Sequence, residues 1–166
     1  MKKLARAALL AFFLLAPLPL LTALPVPGAH ARVKQQISLP FTATYGNVGV
    51  PLLLVQATVN GKPATLIFDT GAQFLTITPE LAKGLQPIAT DEHFGLGITT
   101  QSSRVIVPVK LGNLTLRQCV AETQDMSNLS GGLGVKIDGL VGESLLFRFK
   151  AVTIDYENHI VDFAGN

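Results

Sequence analysis

The stretch TLIFDTGAQF, residues 65–74, sets an acid directly after an apolar, strand-forming run and follows it with a hydroxyl and a glycine. Aspartate is disfavoured inside strands and is seldom buried without a partner. Two readings are open at this point. The chain turns at Asp69, because Asp-Thr-Gly is good turn chemistry, or the strand end presents a carboxylate for chemistry.

Upstream, PLLLVQATV (51–59) and KPATLIF (62–68) flank Asn60-Gly61. Asn-Gly between two such runs predicts a hairpin, because both central residues of a type I′ turn need positive φ. Asp69 then stands just beyond a returning strand. Downstream, FLTIT (74–78) reads as a further short strand. Thr78-Pro79-Glu80 reads as a helix start with a hydroxyl cap, a proline at the first position and an acid in the first turn, and Gly84 as its stop. In residues 93–122 two strands flank Gln101-Ser102-Ser103, and a second hairpin turns at Gly112-Asn113. NLSGGLGVKIDG (128–139) is loop-like, and residues 143–149 suggest a second short helix. KAVTIDY (150–156) and HIVDF (159–163) form a closing hairpin around Glu157-Asn158. Short strands with regular turns and almost no helix predict an all-β, closed or nearly closed barrel.

The first 31 residues carry a different pattern. Lys2, Lys3 and Arg6 precede a wholly apolar stretch from Ala7 to Ala16, and Ala29-His30-Ala31 has the small-x-small form of a cleavage site. This is the three-part form of a signal peptide. Pro17, Pro19, Pro25 and Pro27 interrupt the run of about 20 apolar residues that a spanning helix wants. The expectation is a leader over 1–31, cleaved after Ala31, and one mature domain over 32–166. The protein would be exported, periplasmic or secreted, with no stable membrane anchor after cleavage. The leader inflates the mean hydropathy of +0.42 and the pI of 8.8. Without Lys2, Lys3 and Arg6 the 13 basic residues fall to 10 against 11 acidic ones, a net charge of −1. No basic cluster with interleaved aromatics occurs, so nucleic acid is not an expected partner. Cys119, the single cysteine, follows Leu114 and Leu116 and reads as buried packing. His93 and His159 are isolated and lack metal-ligand spacing. GGLGVK (131–136) misses the phosphate-loop spacing. No metal and no organic cofactor is implied.

Asp-Thr-Gly at a strand end suits water activation between two carboxylates. Backbone geometry fixes the acid, the hydroxyl can stiffen the loop, and glycine allows a tight turn and close approach of a neighbouring backbone. Two carboxylates held together share one proton, which leaves one acid and one base at the same pH.

VNGKPATLIFDTGAQFLTITPELA and, further on, IDGLVGESLL resemble the retropepsin-like aspartic proteases, specifically the single-domain bacterial kind. The resemblance extends over nearly all of residues 37–163. It implies a single-lobe acid-protease barrel with one or two short helices. By position it implies Asp69 as the catalytic carboxylate, Thr70 bridging two catalytic loops through its hydroxyl, Gly71 letting the backbone pack beneath the site, and Ala72 in the usual small position. It implies that Leu140, Val141 and Gly142 form a strand beside the Asp loop. The hairpin over about 94–107 would be a flap, with Gly95, Leu96 and Gly97 as candidates for its mobile part.

Only one Asp-Thr-Gly exists: Asp91, Asp125, Asp138, Asp155 and Asp162 all lack the hydroxyl–glycine pair. The resemblance therefore implies a symmetric homodimer in which two copies of Asp69 face each other. The reaction would be hydrolysis of polypeptide, with apolar side chains preferred at the scissile bond. Two alternatives stay open: a non-catalytic peptide-binding or structural domain of the cell envelope, and Asp138 acting as a second carboxylate within one chain.

Overall fold

The computed structural model describes residues 35–46, 49, 51–95 and 98–165. The expected leader over 1–31, Leu96 and Gly97 lie outside the described residues. Ten strands follow one another in the chain: β1 (Ile37–Thr44), β2 (Leu52–Val59), β3 (Lys62–Phe68), β4 (Leu75–Ile77), β5 (Pro87–Gly95), β6 (Ile98–Leu111), β7 (Leu114–Thr123), β8 (Gly139–Val141), β9 (Ala151–Asp155) and β10 (Ile160–Ala164). Helix α1 (Ser127–Leu133) precedes β8 and helix α2 (Glu143–Leu146) follows it.

The strand order is β5-β6-β7-β4-β8-β3-β2-β1-β10-β9, with an additional β6–β2 pairing. That extra pairing, Thr58 with Lys110 and Val59 with Val109, closes β2, β3, β8, β4, β7 and β6 into a ring. Closure removes edges that would otherwise be open to other chains. The β2–β3 hairpin turns at Asn60 (φ 50°) and Gly61 (φ 76°), the positive pair a type I′ turn requires.

Alternation places the core. In β1, Ile37, Leu39 and Phe41 are buried while Ser38, Pro40 and Thr42 are exposed. Val105, Val107, Val109 and Leu111 of β6 join them, with Leu66 and Phe68 of β3 and Val161 and Phe163 of β10. Phe163 packs edge-on against Phe68 at 6.1 Å and in a tilted contact with Phe149 at 4.9 Å, so an aromatic floor lies beneath the end of β3. A smaller apolar cluster forms on the other face, where Leu54 and Ile67 meet Met126 and Ile137. Cys119 is buried in the main core; burial pushes its thiol up, and the Arg148 guanidinium 3.3 Å away opposes this only in part.

Three local expectations are corrected. The helix expected over residues 79–84 is a run of turns. Leu81 and Ala82 donate to the Thr78 carbonyl, and Gly84 (φ 82°) does end the segment. Asn60 Nδ2 donates to the carbonyls of Leu81 and Lys83 and ties the segment to the β2–β3 turn, Leu85 N bonds only three residues back to the Ala82 carbonyl, and Pro87 has no N–H to extend a helix. Gln101-Ser102-Ser103 is not a turn but the interior of β6, because its backbone pairs with β5 and Ser103 is bonded to Thr123 Oγ1 in both directions. The β5–β6 pairing runs on to Gly95 opposite Ile98. Finally, residues 127–133 are helical, although the glycines there disfavour it. Gly134 (φ 66°) caps the helix, and Ser130 Oγ ties it to Ile137 N at 2.9 Å.

Candidate active site

Strand β3 runs parallel to β8, with Leu66 opposite Gly139 and Phe68 opposite Val141. The pairing extends one residue past β3, where Asp69 N donates to the Val141 carbonyl at 3.1 Å. The Asp69 backbone is thus held as a strand continuation while its side chain leaves the sheet. Asp69 Oδ1 accepts from Gly71 N at 2.8 Å, and Ala72 N donates to the Asp69 carbonyl at 3.3 Å. These bonds form a tight turn around the carboxylate. Asp69 is half-buried, Thr70 and Gly71 are exposed, and among the described residues no cation pairs with Asp69.

The turn then interlocks with α2. A helix start leaves backbone N–H groups without partners. Here Glu143 N donates to the Ala72 carbonyl at 2.8 Å and Ser144 N to the Gln73 carbonyl at 3.0 Å. The loop backbone caps the helix, and no side chain does so. Ser144 Oγ accepts from Leu75 N at 2.8 Å and donates to the Val120 carbonyl, pinning α2 to β4 and β7. Arg148 Nη1 donates to the Gln118 carbonyl at 2.9 Å.

This interlock requires glycine on both sides of β8. A Cβ on Gly142 would stand 2.2 Å from the Phe74 carbonyl oxygen and 2.6 Å from that of Ala72. A Cβ on Gly139 would stand 1.9 Å from the Thr76 carbonyl oxygen. Both backbones cross too closely for any side chain.

Asp69, Thr70, Gly71, Ala72, Val141 and Gly142 are therefore brought together. Leu140 pairs with Ile67 but contributes its side chain to the smaller apolar cluster on the outer face. Gly95 ends β5, next to Leu96 and Gly97 outside the described residues. Asp138 is not brought to Asp69. Its Oδ2 accepts from Thr65 N at 3.0 Å and its Oδ1 pairs with Lys136 Nζ at 2.6 Å. Thr65 is four residues from Asp69, roughly 13 Å along a strand, so the idea of an intrachain carboxylate pair is overturned. Among the described residues no three His, Cys, Asp or Glu side chains gather as a metal group.

Three supporting residues escaped the sequence reading. Gly139 read as a turn residue, and its crossing with Thr76 has no local signature. Ser144 acts only through tertiary bonds. Arg104 lies over the Phe74 ring at 4.5 Å, linking β6 to the end of the Asp69 loop. An arginine in a strand carries no signal of where its stem will pack.

A family model described as aspartyl protease matches residues 55–145, from β2 into α2. The chain belongs to the aspartyl protease family. Its strand-built barrel with two short helices has the all-β form expected from the sequence. Solved structures with a likeness to it include a retropepsin-like aspartic protease from Rickettsia conorii, 22% identical, covering 80% of this chain and 94% of that one, with a TM-score of 0.48. The retroviral protease-like domain of Ddi1 from Leishmania major is 16% identical over 70% of this chain and 95% of that one, at 0.46. The EIAV protease in complex with the inhibitor HBY-793 is 14% identical over 60% and 88%, at 0.39. No curated protein matches the chain. As an aspartyl protease family member, the chain matches on the segment that carries Asp69 and the strand crossing around it.

Proposed function

We propose that this aspartyl protease family chain is an exported endopeptidase whose working form is a homodimer, with Asp69 of each copy contributing one carboxylate. The observation that carries the reading is the setting of Asp69: held by main-chain bonds, accessible, and without a cation among the described residues. A structural aspartate at a strand end is normally answered by a partner, as Asp138 is.

In the dimer one Asp69 is ionised and the other holds the shared proton. The ionised one takes a proton from water as the water oxygen bonds to the amide carbon. The protonated one gives its proton to the carbonyl oxygen, leaving a neutral gem-diol. Collapse returns a diol proton to the second carboxylate, and the first passes its proton to the departing nitrogen. The carbon–nitrogen bond breaks, and one water has been consumed. Thr70 contributes its exposed hydroxyl to the contact between the two loops, and the β5–β6 hairpin covers the substrate.

Two measurements on purified protein test this. An unfolded polypeptide should be cleaved with a specific activity that falls on dilution, and Asp69→Asn should remove the cleavage. Turnover that Asp69→Asn leaves unchanged sinks the assignment. A monomer that binds peptide from acid to neutral pH without cutting it establishes the non-catalytic binding domain instead. Export is checked separately, by an amino-terminal sequence beginning at Arg32.

A further inference from the structure

Resting on the reading that the β5–β6 hairpin covers a bound polypeptide, we propose that Arg104 is a positioning residue for that polypeptide: its guanidinium, laid on the Phe74 ring, fixes the root of the hairpin over the Asp69 loop. The guanidinium carbon stands 4.5 Å from the ring centroid.

Three observations converge on this contact. The β6–β7 register begins at Arg104, opposite Glu122, whereas residues 98–103 of β6 have their register, among the described residues, with β5 alone. Arg104 therefore marks the place where the hairpin leaves the closed ring, and the Thr123 hydroxyl ties the neighbouring Ser103 there. Second, β7 lies between β6 and β4 in the sheet, so Arg104 reaches across a whole strand to meet Phe74. A long cationic side chain at a strand surface ordinarily carries its head into water. Both residues here are half-buried, and the cation–π attraction offsets the cost of ordering the arginine. Third, Phe74 ends the Asp69 loop where the backbone cannot yield. Its carbonyl oxygen is the atom that a Cβ on Gly142 would meet at 2.2 Å, and the next N–H, that of Leu75, donates to Ser144 Oγ at 2.8 Å. The ring is thus a fixed post for the hairpin root. The turn around Asp69 is closed by main-chain bonds in which Arg104 has no part. Loss of the stack loosens the hairpin and leaves the carboxylate in place, so the effect falls on binding of the polypeptide and not on the chemical step.

The test compares kcat and KM of the full-length chain and its variants on denatured casein, and the affinity for casein in the Asp69→Asn background, with urea midpoints to check that each variant folds. Arg104→Met keeps the stem and removes the cation. It should raise KM about threefold to tenfold and leave kcat within about twofold. Phe74→Leu should do the same, and the two combined should lose no more than either alone, because they remove one shared contact. Phe74→Tyr keeps the ring face and should stay within about twofold of the parent. Arg104→Met and Phe74→Leu each carry the test where the other does not fold. A merely structural role lowers the urea midpoint without this split between KM and kcat. A KM unchanged in folded Arg104→Met and Phe74→Leu, a fall in kcat at constant KM, or additive losses in the double variant overturns the proposal and leaves the Asp69 assignment standing. A parent that binds casein without cleaving it overturns the paired-carboxylate reading instead. The casein affinity then decides the role of Arg104: weakening of about threefold to tenfold in Arg104→Met upholds it, and an unchanged affinity overturns both.

Discussion

The β3–β8 pair has an aspartate at each end, and the two ends are built in opposite ways. At one end Asp138 is buried, receives the Thr65 N–H and is paired with Lys136. At the other, Asp69 is half-buried, is held by Gly71 N alone through one oxygen, and has no cation among the described residues. The same side chain at the two ends of one strand pair is consumed by structure in the first case and kept available in the second. The backbone does the work at the Asp69 end that side chains do at the Asp138 end. Main-chain bonds from Val141, Ala72 and Gln73 fix the loop, so the carboxylate need not be spent on holding it.

The contrast can be broken by substitution. Asp69→Asn should lower peptide turnover by about 10²–10⁴-fold, the usual scale for removing an acid–base group. It should shift the urea midpoint by less than the equivalent of about 0.5 kcal/mol, because no buried partner is orphaned. If Asp69→Asn unfolds the protein instead, the two ends are not different in kind.

Gly142→Ala should cost about 3 kcal/mol of stability, the upper range for forced overpacking, because the new methyl meets two backbone oxygens that cannot move independently. Activity should disappear with the fold. Gly139→Ala should behave alike, and urea denaturation of both measures how rigid the crossing is.

Asp138→Ala should cost about 1–3 kcal/mol, since it leaves the Thr65 N–H without its acceptor. Turnover per folded molecule should be unchanged. A loss of turnover at full stability would mean that Asp138 reaches the chemistry after all, and a concentration-independent activity would then be expected.

The smallest effect concerns Lys136, whose ammonium is held above the ordinary lysine value of 10.5 by its hydrogen bond and charge contact with Asp138. A raised lysine adds stability that is complete below its unfolded pKa and is lost as pH climbs through the folded one. The difference in urea midpoint between parent and Lys136→Met should therefore shrink as pH is taken above 10.5. A difference that grows with pH would show that the pair is not formed.

Much of the barrel was legible because its signals are local. The Asn60-Gly61 turn between two apolar runs fixes two strands and their register without reference to the rest of the chain. The misread segments are those where distant groups override local preference. Asn60 donates to the carbonyls of residues 81 and 83 and ties that run of turns to the β2–β3 hairpin. β5 and β7 hold the polar Gln101-Ser102-Ser103 extended. The glycine-bearing segment 127–133 is bracketed by Met126, which packs with Leu54 and Ile67, and by the Ser130 tie to Ile137.

Sequence alone determined that Asp69 stands at a strand end in a tight hydroxyl–glycine turn, because turn chemistry and strand alternation act over a few residues. Only the tertiary structure decided that Asp69 is left available while Asp138 is not, and that Gly139 and Gly142 let two backbones cross. Those outcomes depend on which groups arrive from tens of residues away, and packing distance, not spacing in the chain, sets them.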